Sequence, residues 1–310
     1  MATIRMIWDG GEIPALEITT DYFKGQTNGY ARATNYTESW TGQGLAYSDP
    51  GIVYPTGGLI TSFSSGTQSG SFSLVITDIE YTLPPGTTVA NFLLGMMAGR
   101  DEWSGNDHDN FFLLSVGGDS YHGGAGIDTL TPGPIQSTHY LQASTRYVRE
   151  VDGALRATNF GTTTFRLYDV ERIRFSDVSI ALDLSGNAGE VARVLGAIFG
   201  ADAVHNPVYF GIGLSLFDAG ELPLVVTRRA LDARLGPQRD AADVITLLYR
   251  NIANSNPSPD ELRAYVDSVE SGATTVEALA WAGAHLALND LNIDLVGLAS
   301  LGVAYQSLVD

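Results

Sequence analysis

The sequence predicts a multidomain chain of mixed β and α class, with strands in its first part and helices in its last. Three observations carry that expectation. Residues 96–131 repeat with a period of nine. Up to about position 184 apolar residues alternate singly, as a strand requires, and beyond it they recur every three to four residues, as on one face of a helix. Clusters of Gly, Ser, Thr and Asn punctuate the strand-like half. Together these divide the chain into 1–95, 96–184 and 185–310.

Residues 1–95 read as an N-terminal β-sheet region. Positions 3–8 alternate, 52–54 and 59–60 are short apolar pieces, and 70–83 (GSFSLVITDIEYTL) is a longer strand-rich run. The clusters at 25–45 and 62–70 read as loops. Short strands at irregular spacing suggest a small sandwich or sheet capping the repeats. Residues 89–97 (VANFLLGMM) would be a short helix or strand leading into the first repeat. Tyr22, Phe23, Tyr30, Tyr36, Trp40 and Tyr47 fall in the expected loops, either as a sugar- or protein-binding face or as ordinary packing.

Written nine to a line, 96–131 becomes MMAGRDEWS, GNDHDNFFL, LSVGGDSYH and GGAGIDTLT. The sixth position reads Asp101, Asn110, Asp119, Asp128; the eighth reads Trp103, Phe112, Tyr121, Leu130; the fourth reads Gly99, His108, Gly117, Gly126. The last line matches the pattern G-G-x-G-x-D-x-U-x in full, U being a large apolar residue. Each nine divides into a six-residue turn and a three-residue strand whose middle residue points inward, so the eighth positions would stack as a core. Glycine lets the turn backbone take positive φ and aim its carbonyls at one point, while the sixth position supplies charge. Such oxygens suit a hard cation like Ca2+, which takes six to eight of them. Asp107 and Asp109 begin a D-x-D run, but no Gly or closing Glu follows at the offsets of an EF-hand.

This stretch resembles the calcium-binding repeats of the RTX family, the β-roll proteins of bacterial type I secretion. The resemblance implies that two nines make one turn of a roll, each loop stacking on the loop two repeats later. Asp101 and Asp119 would then flank one ion on one edge, and Asn110 and Asp128 another on the opposite edge. Gly99, Gly117, Gly124 and Gly126 would shape the loops. Asn110 in place of Asp and His108 in place of Gly depart from the pattern, with Asp107 or Asp109 as compensating ligands. Loop 96–101 also lacks the first two glycines. The implied cofactor is Ca2+, in a calcium-binding β-roll.

Residues 132–184 continue the strand pattern without the glycine code, with alternation at 138–151 and 163–168. Residues 170–183 (VERIRFSDVSIALD) resemble the segment closing many RTX rolls. Asp177 and Asp183 there read as turn residues, a third ion site being the alternative. The C-terminal part reads as an all-α helical domain. Asn187 is expected to cap a helix, with Glu190 three residues on and an apolar face of Val191, Val194, Leu195 and Ile198. Another opens at Asp240. Ser258-Pro259-Asp260-Glu261 gives a capping box with Pro at the first helical position, ahead of a stripe of Leu262, Tyr265, Val266 and Val269 that ends at Gly272. Further helices are expected over 274–288 and 291–308. Val191 to Gly220 reads like Val244 to Gly272, which suggests a duplication. The segment from Val244 to His285 resembles an all-helical domain of unknown function that often follows RTX repeats.

The balance of 17 basic and 35 acidic residues gives a net charge of −18, which repels nucleic acid and anionic lipid. The absence of cysteine removes thiol catalysis, disulfides and zinc–thiolate sites. The opening MATIRMIWDGG has no basic n-region or apolar h-region, so no cleaved signal peptide is expected. No apolar run reaches about 18 residues, so no membrane insertion is expected. The RTX resemblance implies export through an uncleaved C-terminal signal within 185–310, and hence a secreted protein, extracellular or at the cell surface. No H-E-x-x-H, G-x-S-x-G or Walker A motif occurs, and no enzyme is expected. Two functions stay open. One is a structural protein that assembles with copies of itself into a surface layer, filament or matrix. The other is a calcium-dependent adhesin or lectin that meets a cell-surface glycan through the aromatic loops of 1–95.

Overall fold

The computed structural model of the chain describes residues 3–8, 21–24, 28–33, 36–46, 57–67, 72–77, 81–83, 99–114, 117–132, 145–159, 163–175 and 177–308. The elements expected at 52–54 and 89–97 lie outside these residues, as do Tyr47 and His139. The chain forms two compact units, Met1–Ser176 and Asp177–Asp310, the first built of strands and the second mostly of helices.

In the first unit the opening strands are β1 (Thr3–Trp8), β2 (Asp21–Lys24), β3 (Asn28–Ala33), β4 (Tyr36–Ala46), β5 (Gly57–Thr67), β6 (Phe72–Thr77) and β7 (Tyr81–Leu83). The Ser- and Thr-rich stretches expected as loops therefore include β3, β4 and most of β5. Their hydroxyls face one another across the ladder, Ser39 against Ser64 and Thr41 against Ser62, each pair 2.6 Å apart. Small polar side chains satisfied in this way pack well on a pleated surface. Trp40 is buried, so of the aromatics considered for a binding face it is not available.

The nine-residue repeats become β8 (Glu102–Ser104), β9 (Phe111–Leu114), β10 (Ser120–His122) and β11 (Thr129–Pro132). β8 runs parallel to β10 with Trp103 opposite Tyr121, and β9 parallel to β11 with Phe112 opposite Leu130. Partners are thus two repeats apart. The hairpin of β12 (Thr145–Arg149) and β13 (Leu155–Asn159) comes next. A third turn is then made by β14 (Thr163–Tyr168) and β15 (Arg172–Arg174), which pair in parallel with β10 and β11. Twelve strands share one sheet, in the order β12-β13-β14-β10-β8-β1-β6-β5-β4-β3-β2, with β7 on β5. β1 joins the two halves, antiparallel to β6 and parallel to β8. Between this sheet and the β9-β11-β15 ladder lies the core of the repeats. Trp103, Phe112, Tyr121, Leu130, Leu167 and Ile173 are all buried there.

In the second unit β16 (Ser179–Ala181) pairs antiparallel with β17 (Val303–Tyr305). The described residues hold eight α-helices: α1 (Asn187–Phe199), α2 (Pro207–Asp218), α3 (Pro223–Leu235), α4 (Ala241–Ala253), α5 (Pro259–Glu270), α6 (Val276–Ala284), α7 (Ala287–Asn292) and α8 (Leu295–Leu301). The two segments compared in the sequence have helices of equal length, α1 and α4 with 13 residues each and α2 and α5 with 12, both of the latter starting on proline. A 3-10 turn at Ala201–His205, however, separates α1 from α2 and has no counterpart between α4 and α5. α1 divides two cores. Val191, Ala192 and Leu195 meet Phe210, Leu214 and Val226 on one side, while Val194, Ala197 and Ile198 meet Leu231, Val244 and Leu248 on the other.

Several expectations here need correction. The cap of α1 is Gly186 rather than Asn187, whose side chain donates instead to Asp218 at 2.8 Å. Asp183 sits near the start of α1, its carboxylate accepting from the Ala188 amide at 3.3 Å. The helix expected over 291–308 is broken at Asp294, which takes a left-handed φ of 49° and caps α8 through the Gly297 amide. It ends at Gly302, where β17 begins. The capping box at Ser258 and Glu261 forms as expected, yet no residue of α5 is fully buried. No helix among the described residues is long and apolar enough to cross a membrane.

Candidate metal centre

The sixth position of each repeat ends a turn, at the point where the chain enters a strand. Ladder pairing of the strands therefore stacks these residues. The Asp101 amide donates to Asp119 Oδ1 at 2.9 Å, and the Asn110 amide donates to Asp128 Oδ1 at 2.8 Å. All four are buried, at 3% exposure or less. The two pairs are those that the resemblance places on two separate edges. Three of the four are carboxylates, and a buried carboxylate is stable only with hydrogen-bond donors and compensating charge around it.

The two edges differ. On the first, Gly99 and Gly117 have φ of 126° and 138°, and the Gly117 Cα packs against the Gly99 carbonyl. Tyr121 Oη donates to Asp119 Oδ2 over a long 3.4 Å. In the third turn Arg166 pairs with Ser120, which puts Phe165 beside Asp119 and ends the polar ladder there.

On the second edge the loop 105–110 stacks on 123–128. Gly124 and Gly126 take positive φ, whereas Asn106 and His108, which occupy the matching positions one turn earlier, do not. The first loop replaces that backbone geometry with side-chain bonds. Asn110 Oδ1 accepts from the Asn106 amide at 2.7 Å, and Asn110 Nδ2 donates to Asn106 Oδ1 at 3.0 Å. Asn110 is thus satisfied within its own loop. Of the two compensating residues, Asp109 reaches the neighbouring loop, accepting from the Ile127 amide at 2.7 Å. Asp107 is exposed.

Asp128 is electrostatically strained. Burial pushes its carboxyl up to about 7, the Asn110 amide opposes this, and the charges of Glu171, Asp109 and Asp169 push it further. Its Oδ2 is buried without a hydrogen-bond partner. Sequence reasoning missed Glu171 and Asp169. They come after the hairpin, in a three-residue loop with no glycine code, so no fixed spacing signals them. Of the histidines, His108 is exposed, while His122 stacks on Tyr168 with centroids 4.4 Å apart.

Among the described residues, no three His, Asp or Glu side chains form a ready-made cluster around one point. The donors on offer are of another kind, namely loop carbonyls together with the stacked carboxylates of Asp101, Asp119 and Asp128. That set matches the oxygen preference of calcium. No family model, curated protein or solved structure matches the chain.

Proposed function

We propose that the chain is a secreted calcium-binding structural protein. Calcium between the stacked loops of a short β-roll acts as its folding switch, and the folded chains associate with one another outside the cell into a layer, filament or matrix. The observation that carries this reading is the pair of amide-to-carboxylate contacts two repeats apart, Asp101 to Asp119 and Asn110 to Asp128, with Asp128 Oδ2 buried and unpartnered beside them. Bound calcium would supply positive charge to these carboxylates. The residues do the rest: Asp119 and Asp128 anchor the preceding turn, and the Trp103–Tyr121 and Phe112–Leu130 pairs align the strands. Without the cation, repulsion among the acidic loops favours an open chain, and at calcium well above Kd each site adds on the order of 2–3 kcal/mol to folding.

Two features support association. Among the described residues, β2 and β12 end the twelve-strand order as edges, and open edges are surfaces for pairing. The helical unit also exposes large apolar side chains, among them Leu222, Leu291 and Val296, each more than two-thirds exposed.

The test is a calcium titration monitored by circular dichroism and light scattering, with EDTA reversal. The reading expects a gain of strand signal and large particles that EDTA disperses. A folded monomer would shift the reading to a calcium-dependent adhesin, to be probed with glycan arrays. No response to calcium would end it.

A further inference from the structure

We infer that a divalent cation of the calcium type is held where the third turn of the coil closes on the second, with Asp128, the main-chain carbonyl of Asp169 and the carboxylate of Glu171 as its oxygen donors. The inference rests on the proposed calcium function, and places a ligand set outside the nine-residue repeats.

The first observation is a continued ladder. The Asn110 amide donates to Asp128 Oδ1, and the Asp128 amide in turn donates to Glu171 Oε2, both at 2.8 Å. The amides of Glu171 and Arg172 both donate to the Asp128 carbonyl, at 3.1 and 2.9 Å. Glu171 therefore holds in the third turn the place that Asp128 holds in the second, although a hairpin separates them in sequence. On the opposite edge Phe165 takes this place, so the ladder is prolonged on one edge only.

The second observation is the orphaned oxygen. Asp128 is wholly buried, and its Oδ2 has no hydrogen-bond partner. The Asn110 amide is spent on Oδ1, and the side chains of Asp109, Asp169 and Glu171 that act on Asp128 carry the same sign of charge. The adjacent buried Arg172 directs Nη1 to the Glu171 main-chain carbonyl. A positive ion is the missing complement.

The third observation is a cradle. A Cβ built on Gly123 would run into both the Asp169 carbonyl oxygen and Asp128 Oδ2. Two oxygens of different turns thus converge over a residue that has no side chain. One turn earlier the same arrangement recurs over Gly105, with Asn110 Oδ1 and the Gly123 carbonyl. There the oxygen belongs to a neutral amide already accepting from Asn106. The later position has the charge and the unused lone pair, so the ion is assigned to it. Asp169 has a left-handed backbone, φ 47°, a conformation that Asp tolerates better than most residues. Carbonyl and carboxylate oxygens in irregular loops, with water completing the shell, suit calcium better than the strict octahedron of magnesium.

The experiment is calorimetric titration of the full chain with calcium chloride, after stripping with EDTA, for wild type and Glu171→Gln. Glutamine keeps an oxygen for the Asp128 amide and removes only the charge. The expected result is one calcium fewer, or one binding step weakened by roughly tenfold or more, the scale at which even outer-shell partners act, with an unchanged dichroism spectrum. Asp169→Asn, suited to the left-handed backbone, provides a second variant should Glu171→Gln not fold; it removes a neighbouring charge and should weaken the same step severalfold. If wild type binds calcium while the variants keep its number and affinity, the assignment of the third turn is overturned and the calcium reading stands. If wild type binds none, both fall.

Discussion

Trp103 and Tyr121 occupy equivalent positions on neighbouring parallel strands, their rings stacked at 20° with centroids 5.8 Å apart. Phe112 meets the same Tyr121 edge-on at 5.7 Å. Tyr121 thus ties both ladders together. Tyr121→Ala should cost about 3–5 kcal/mol, as for a large core aromatic, read as a lower urea midpoint in the presence of calcium. A change below about 1 kcal/mol would mean that the rings do not form the core of the coil.

Asp119→Asn should keep the acceptor for the Asp101 amide while removing charge from that edge. The expected effect is a higher calcium requirement for the dichroism change, by about tenfold or more. Equal calcium midpoints for variant and wild type would remove this edge from the binding reading.

In EDTA, acid should stabilise the first unit. The Asp128 carboxyl titrates at about 7 in the folded chain, against about 4 unfolded. The protonated form is therefore the one that the fold favours. Its stabilisation is complete below about pH 4 and disappears as pH rises through 7, at about 1.4 kcal/mol per unit of pKa difference. Thermal melts at pH 5 and 8 should show a higher midpoint at pH 5 in EDTA, and calcium should narrow the gap. A midpoint independent of pH in EDTA would contradict the burial of this charge.

Two alanine substitutions separate backbone strain from crowding. Gly153 lies in a hairpin turn at φ 92° with open space around it, while Gly117 at φ 138° faces the Gly99 carbonyl. Gly153→Ala should cost about 1–2 kcal/mol for the backbone alone. Gly117→Ala should add roughly 1–3 kcal/mol for overpacking. Equal unfolding midpoints for the two would show that the loops can separate without loss.

How much of the fold was legible in the sequence varies along the chain. The inward eighth positions were legible because they arise from one short period, whereas the two-repeat register was an expectation that only the RTX resemblance implied. The capping box at Ser258 was legible because it needs only four neighbouring residues. The third turn was not, since Glu171 meets Asp128 through backbone pairing across an intervening hairpin. β3 and β4 were read as loops because Ser and Thr resemble turn residues until their cross-strand partners are known. β17 was hidden because the period of three to four continues through Asp294 and Gly302, whose positive φ values break the helix.

The position of β1 has a kinetic consequence. Ile4 pairs with Ile76 on one side and with Trp103 on the other, so its second partner lies about a hundred residues away. Closing such a span is entropically expensive, and folds dominated by distant pairings form slowly. The strands of the repeats meet across much shorter separations and have no such delay. Seating of β1 against β8 is therefore the slow step expected in refolding. Until it occurs, the edge of β8 stands open to any other strand that arrives first.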